Sequence, residues 1–445
     1  MIVLLFAVPL AFSQDSGGNA DSGSGAEGSG GVTSFFNQDA SSTGGSPAIT
    51  WSGDLNFKTR ATINYGDPTG SPVLTYPSLS VAIDYKNEAS QVHAELIYDR
   101  TRPADTFEGL INEAYLELFY PAFRIQAGYL KVVWGTGDQI HVVDVLNPTD
   151  YTDFINPSYL DRKMAEKMLM LTLYAGTNGS VEFAYLPVFT PDRIPLEGQW
   201  VPQDVRKVEA AITTPSTLSG LVDAYLQEAR TLDHAQFAAR YSTSVSGVDL
   251  GATYYYGFLR EPVVAGATTP SPALTFNRVH MAGIDGATVA GGFNLRWEAA
   301  YFLTGDTAGD DPLVYNNRVK YLGGFDRDLP LSNLNINVQD IGTWVLATDG
   351  LASGDVDFDP DGDYLQNTLV ARISDNYAHG QIKPEIAVTY GIEKQDFMVR
   401  PKVEFSLKDE ATLTLVTSIF SGDKDTQFGQ FESNDFIEAQ FSYAF

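Results

Sequence analysis

Residues 381–408 read QIKPEIAVTYGIEKQDFMVRPKVEFSLK, and their alternation decides the fold. Ile382, Pro384, Ile386, Val388, Tyr390 and Ile392 share one phase, while Gln381, Lys383, Glu385, Thr389, Gly391 and Glu393 share the other. A period of two belongs to a strand, not a helix. After Lys394-Gln395 the rule resumes: Phe397, Val399, Pro401, Val403, Phe405 and Leu407 stand against Asp396, Arg400, Lys402, Glu404, Ser406 and Lys408. These runs exceed the five or six residues usual in a soluble sandwich and pass the roughly 9–11 that cross a bilayer at a tilt. One apolar face and one face carrying charges of both signs suit a strand between lipid and a polar lumen.

The same rule holds at the other end, where Trp51, Leu55, Phe57, Ala61 and Ile63 alternate with Ser52, Asp54, Asn56, Lys58, Arg60 and Thr62. Between the two ends the pattern predicts strands near 49–64, 74–86, 90–101, 109–119, 122–133, 168–176, 179–187, 234–245, 248–259, 274–285, 288–303, 314–326, 332–345, 364–376, 381–393, 396–407, 411–421 and 435–445. Short joints such as Ser246-Gly247, Gly286-Ala287 and Lys408 to Glu410 alternate with long ones at 134–167, 188–233, 260–273, 346–363 and 422–434. The expectation is all-β: a transmembrane antiparallel β-barrel over residues 49–445, with long external loops and both termini at the short-turn rim. The count is about 18 strands; the joints at Lys394-Gln395 and Asp326 to Leu331 leave 16 open.

Composition agrees, with 19% charged and 12% aromatic residues, 40 Gly, 23 Tyr and 26 Phe. No run approaches the roughly eighteen apolar residues of a membrane helix, so a spanning chain must close on itself to satisfy its backbone. The net charge of −28, from 28 Lys and Arg against 56 Asp and Glu, disfavours nucleic acid. The absence of Cys removes disulfides, thiolate metal ligands and a Cys nucleophile. Met1 to Ser13, with an apolar core and Ala11-Phe12-Ser13, reads as an export signal. Residues 14–48, rich in Gly, Ser and Asp, read as a disordered linker.

The last strand places Ile437, Ala439, Phe441, Tyr443 and Phe445 on one phase. It resembles the closing strand of bacterial outer-membrane barrels, whose terminal Phe is recognised by the barrel-assembly machinery. Trp134-Gly135, Asp138, Val143, Val145, Asn147-Pro148 and Asp150, with Pro187, Pro191, Arg193 and Pro195 further on, resemble an uncharacterised family of predicted bacterial outer-membrane β-barrel proteins with a Trp-Gly…Asn-Pro-x-Asp loop. That resemblance implies the barrel fold and a bacterial outer-membrane location. It also brings lipid or hydrophobic cargo into view.

Barrel geometry turns the polar phase inward, which assigns Lys58, Arg60, Glu113, Glu117, Arg124, Arg296, Glu298, Arg400, Lys402 and Glu404 to the lumen, as an ion-pair lattice or as a selectivity wall. The long segment 134–167 is the candidate constriction, with Trp134, Asp138, His141, Asp144, Asp150 and Asp153 facing Arg162, Lys163 and Lys167; an outward surface loop is the alternative. Leu218, Leu221, Val222, Tyr225, Leu226, Ala229 and Leu232 recur at helical spacing and predict one loop helix of about four turns. Asp357, Asp359, Asp361 and Asp363 alternate around Gly362 like the start of a Ca²⁺ loop, although Thr368 stands where a bidentate acid is expected; a solvated acidic loop is the other reading. Five scattered His, no HExxH and no Gly-x-Ser-x-Gly give catalysis no footing. The sequence therefore points to a porin-like channel for small solutes with a cation bias from its acidic rim. A barrel for hydrophobic cargo and a plugged adhesin or structural barrel stand beside it.

Overall fold

The computed structural model describes residues 48–63, 72–100, 106–153, 155, 158–176, 178–212, 216–267, 269 and 271–445. The expected export signal lies outside the described residues, as does the linker except for Ala48, which opens the first strand.

Eighteen strands follow one another: β1 (Ala48–Thr62), β2 (Val73–Lys86), β3 (Ser90–Asp99), β4 (Ile111–Phe119), β5 (Phe123–Leu130), β6 (Glu166–Ala175), β7 (Gly179–Leu186), β8 (Gln236–Val245), β9 (Val248–Ala265), β10 (Ala273–Ala290), β11 (Phe293–Thr304), β12 (Arg318–Asp328), β13 (Asn335–Val345), β14 (Leu365–Ser374), β15 (Ile382–Gly391), β16 (Asp396–Lys408), β17 (Ala411–Ser421) and β18 (Phe436–Ala444). Each pairs antiparallel with the next, and β18 returns to β1 from Asp54↔Ala444 to Thr62↔Phe436. Gly53 and Phe445 exchange two backbone hydrogen bonds of 2.9 Å at this seam. The result is a closed barrel of 18 strands, with no open edge to satisfy in lipid.

The outward phase is the apolar one: Ile49, Trp51, Ile83, Tyr241, Ile284, Ile386, Ile437 and Tyr443 are exposed on the outer wall. The inward phase is fixed by register. Lys383 pairs with Glu404 and Glu385 with Lys402 across β15 and β16, so a one-residue slip would turn four charges into lipid.

Two expectations need correction. The joint read at Gly286-Ala287 lies at Gly291-Gly292, whose φ values of 62° and 80° make the two-residue hairpin that strand twist favours. Gly286 stays inside β10, where an added Cβ would come within 2.3 Å of the Trp297 ring. β10 gains length from this turn and β9 from residues 260–265, which continue the strand where a loop at 260–273 was expected; each is 18 residues, about 60 Å of strand at about 3.3 Å per residue, and their outer ends rise beyond the apolar belt of about 25 Å. Secondly, among the described residues the loops hold three α-helices rather than one: α1 (Tyr159–Arg162), α2 (Gln203–Ala211) and α3 (Leu218–Glu228). The predicted amphipathic stripe stops at Ala229, the Thr231 hydroxyl bonds back to the Glu228 carbonyl at 3.1 Å, and Leu232 is exposed. α2 is short, follows Pro202 and buries only Val205 and Val208, too brief a pattern to stand out in sequence.

Candidate functional site

The segment 131–165 between β5 and β6 folds into the barrel. With Leu130 at the end of β5, its apolar residues Val132, Trp134, Ile140, Val142, Val143 and Leu146 pack against Met168 and Met170 of β6, Leu186 of β7, Tyr255 of β9, Met281 of β10, Phe302 of β11 and Leu322 of β12, and the cluster continues to Val370 of β14 and Ala387 of β15. One side of the lumen is therefore filled.

Glu298 anchors this loop. From the inner face of β11 its two carboxylate oxygens accept the backbone N–H groups of Thr136 (2.9 Å), Gly137 (2.8 Å), Val142 (2.7 Å) and Val143 (3.1 Å), and Oε1 lies 2.9 Å from His141 Nδ1. A buried carboxylate needs such donors, and unpaired loop N–H groups need such an acceptor. Gly135 makes the approach possible: its φ is 110°, and a Cβ there would sit 2.3 Å from Glu298 Oε1. Further along, Asp138 reaches β13 and β14, taking bonds from Asn337 Nδ2 (2.6 Å) and Arg372 (3.2 Å), while its backbone meets both ends of the Gln339 amide. The return limb is held by Asn147, which donates to the Leu130 and Met164 carbonyls and accepts Val132 N–H at 2.8 Å.

The opposite inner wall, from β15 through β18 to β4, is polar. Asp153 crosses from the loop to β1, where it pairs with Arg60 at 3.0 Å and Lys58 at 3.4 Å. Arg60 also bonds Glu438 of β18 at 2.7 Å, so loop and seam share one cation. Lys402 pairs with Glu385 at 3.2 Å, Lys383 with Glu404 at 2.9 Å, and Arg124 with Glu117 at 3.2 Å. Glu113 of β4 accepts the Lys131 N–H at 2.8 Å; away from this wall, Arg296 of β11 bonds Asp326 of β12. Lys58, Asp84, His93 and Lys383 all retain access to solvent.

Of the residues assigned to the constriction, Asp153 and Arg60 meet directly. Trp134 is buried in the apolar packing, and His141 is spent on Glu298. Asp144 is fully buried against Lys163 and the Tyr159 hydroxyl, Asp150 pairs with Arg193 at 3.1 Å, and Arg162 is buried. Lys167 lies apart, on Glu108 at 2.8 Å. Arg400 is buried on the inner face of β16 and interacts electrostatically with Glu438, Asp153 and Glu385. Sequence reading did not single out Asn147, Gln339, Arg372 or Asp285, which pairs at 2.6 Å with the inward-facing, buried Arg240. Asn147 stood in the quoted motif; the others carry no local signal.

A second segment, 187–203, spans the outer mouth from β7 to the far wall. Trp200 packs on Phe420, Phe431 and Phe436. Gln203 N–H donates to Gln430 and Asn434 to the Gln199 carbonyl, at 2.8 and 2.7 Å. The two segments are joined where Asp192 accepts the Thr149 N–H at 2.7 Å. Burial pushes the Asp192 carboxyl up to about 7, more than Arg260 and that N–H pull it down.

The acidic loop at 355–363 divides. Asp357 turns inward to Arg318 at 2.8 Å, while Asp359, Asp361 and Asp363 surround the Lys394 ammonium at 3.0, 2.8 and 3.1 Å. These three are close enough together to hold an ion. Burial would lower the Lys394 ammonium, but the three carboxylates outweigh it and hold it above its ordinary range. The chain's own cation sits where the Ca²⁺ reading of this loop would have put an ion.

No family model and no curated protein matches the chain. Among solved structures it is similar to Acinetobacter baumannii OccAB4, with 10% identity over 89% of this chain and 98% of that one and a TM-score of 0.49. Pseudomonas aeruginosa OpdL gives 10% identity, 90% and 98% coverage and a TM-score of 0.47. Wzi, an Escherichia coli outer membrane protein involved in group 1 capsule assembly and a carbohydrate-binding β-barrel, gives 10%, 89% and 84%, and 0.48.

Proposed function

We propose that this protein is a channel of the bacterial outer membrane that passes small solutes past a constriction built by its inner loop. One observation carries this reading: the loop's apolar packing runs along β6–β12 and on to Val370 of β14 and Ala387 of β15, while charged groups with access to solvent, Lys58, Asp84, His93 and Lys383, remain on β1, β2, β3 and β15. A barrel whose interior served packing alone would have no use for that asymmetry. The net charge of −28 and the carboxylates of the outer loops favour cations at the mouth.

Outer-membrane lipids on the apolar belt, and an assembly machinery that reads Phe445, are the partners this reading entails. The segment spanning the mouth through Trp200 favours a second reading, a barrel closed at rest, as a surface adhesin or a receiver of hydrophobic cargo would be. Single-channel recording on refolded protein separates the two. Stable, salt-dependent current steps support the channel; silence from protein that stays β-rich and heat-modifiable supports the closed barrel.

A further inference from the structure

Lys167, expected at the constriction, lies on the outer wall instead. Along β6, Met168 and Met170 pack in the lumen while Leu169 and Leu173 are exposed outward, so Lys167 shares the outward phase. It pairs with Tyr129 of β5 near the long-loop rim. Its ammonium is 2.8 Å from Glu108, which also accepts the Tyr129 hydroxyl at 3.1 Å and faces Arg230 at 3.8 Å. Two exposed cations thus share one carboxylate. Glu228 and Asp233 are exposed on the same stretch as Arg230, and neither pairs with Lys167 or Arg230. Phe107, next to Glu108 in sequence, and Leu232, two residues beyond Arg230, are 67% and 73% exposed. Apolar side chains interspersed with Lys, Arg and Tyr are the composition of a bilayer interface.

From this cluster toward the middle of the membrane runs a groove of about 300 Å³, lined by Leu169, Leu171, Phe183, Tyr185, Phe237 and Tyr254. The register explains it. Leu169, Tyr185 and Phe237 form one outward row across β6, β7 and β8; Leu171, Phe183 and Ala239 form the next, which Tyr254 of β9 closes. Ala239 is the one small side chain in these rows, and it leaves a gap between Phe183 and Tyr254. Leu169, at the head of the first row, follows Lys167 on the same face of β6. A concavity in the hydrocarbon belt is out of reach of water, so its occupant is an apolar chain supplied by the bilayer.

We propose that the outer wall of β5–β9 binds one phosphorylated acyl lipid of the outer leaflet, of the lipid A type, with an acyl chain in the groove and a phosphate between Lys167 and Arg230. The phosphate oxygens take the N–H donors that the two cations now share on Glu108, in bonds strengthened by charge on both sides. The site rests on the outer-membrane location in the reading above and not on conduction.

Native mass spectrometry of the detergent-solubilised full chain, titrated with lipid A, tests it. One lipid A should bind saturably per barrel. Binding should weaken at least ten-fold in the double variant Lys167→Gln/Arg230→Gln and several-fold in Ala239→Phe, which fills the gap, and should stay near wild type in Lys167→Arg, which keeps the charge. Lipid A stripped of its phosphates should bind at least ten-fold more weakly than the intact lipid. Heat-modifiability reports that each variant barrel is intact. Equal binding of the stripped lipid, retention of several lipids without saturation, binding unchanged in the double variant, or a second barrel in place of the lipid overturns the site. Saturable binding by a barrel that passes no current upholds it and removes the channel reading alone; a conducting barrel without saturable binding does the reverse.

Discussion

Glu298 shows how one side chain sets the interior. Four backbone N–H groups and His141 converge on it, and hydrogen bonds to a charged acceptor are worth about 1.5–3 kcal/mol each. Glu298→Gln keeps the shape but removes the charge and turns one acceptor into a donor facing N–H groups. We expect it to release the loop tip: backbone amides of Gly137, Val142 and Val143 should exchange at least ten-fold faster while strand amides hold, and any channel current should rise and flicker. Unchanged exchange at these amides would show that apolar packing alone holds the loop. Gly135→Ala tests the same contact from the other side, since its Cβ would collide with the carboxylate; it should loosen the same amides.

At the scale of the element, the junction between the inner loop and the mouth-spanning segment depends on pH through Asp192. An unfolded Asp titrates near 3.9, and the folded carboxyl near 7. Between those values the folded chain keeps a proton that the unfolded chain has lost, so stability falls as pH rises through this window and levels off above it. Wild type should therefore lose melting temperature from pH 5 to pH 7.5 relative to Asp192→Asn, which keeps the acceptor for Thr149 without the titration. Parallel profiles for the two proteins would remove Asp192 as the cause. Deleting 134–143 should leave a heat-modifiable barrel, because the strands pair without it, and should give a larger, less selective conductance.

The elements also show what was legible in sequence. Strand phases were readable because lipid and lumen impose a period of two on every strand, which is why residues 381–408 sufficed to state the rule. The Gly291-Gly292 turn was missed because Gly286-Ala287 offers a similar small-residue break, and only the Trp297 ring beside Gly286 tells them apart. Glu298 was readable as inward, yet its partners lie about 160 residues away on a loop whose direction no local pattern encodes. Lys394 looked like part of a tight turn; that its ammonium sits among three Asp depends on a fold-level approach of two loops.

At the scale of the whole molecule, the charge of −28 bears on which ions enter. Under a salt gradient the reversal potential should favour potassium over chloride by about two- to five-fold at low salt, approaching unity near 1 M, where the screening length is about 3 Å. Anion preference at low salt would remove the acidic mouth as the seat of selectivity. The seam between β1 and β18 adds a constraint in time. Arg60 and Glu438 are 378 positions apart, so no ribosome or chaperone ever holds a chain in which they have met before the final strand exists. Until then Arg60 lacks half its counter-charge, and the anchor for Asp153 is incomplete. An assembly intermediate halted one strand short would be an unregulated hole as well as an open sheet, which makes the speed of the last zippering step a matter of envelope integrity and not of yield alone.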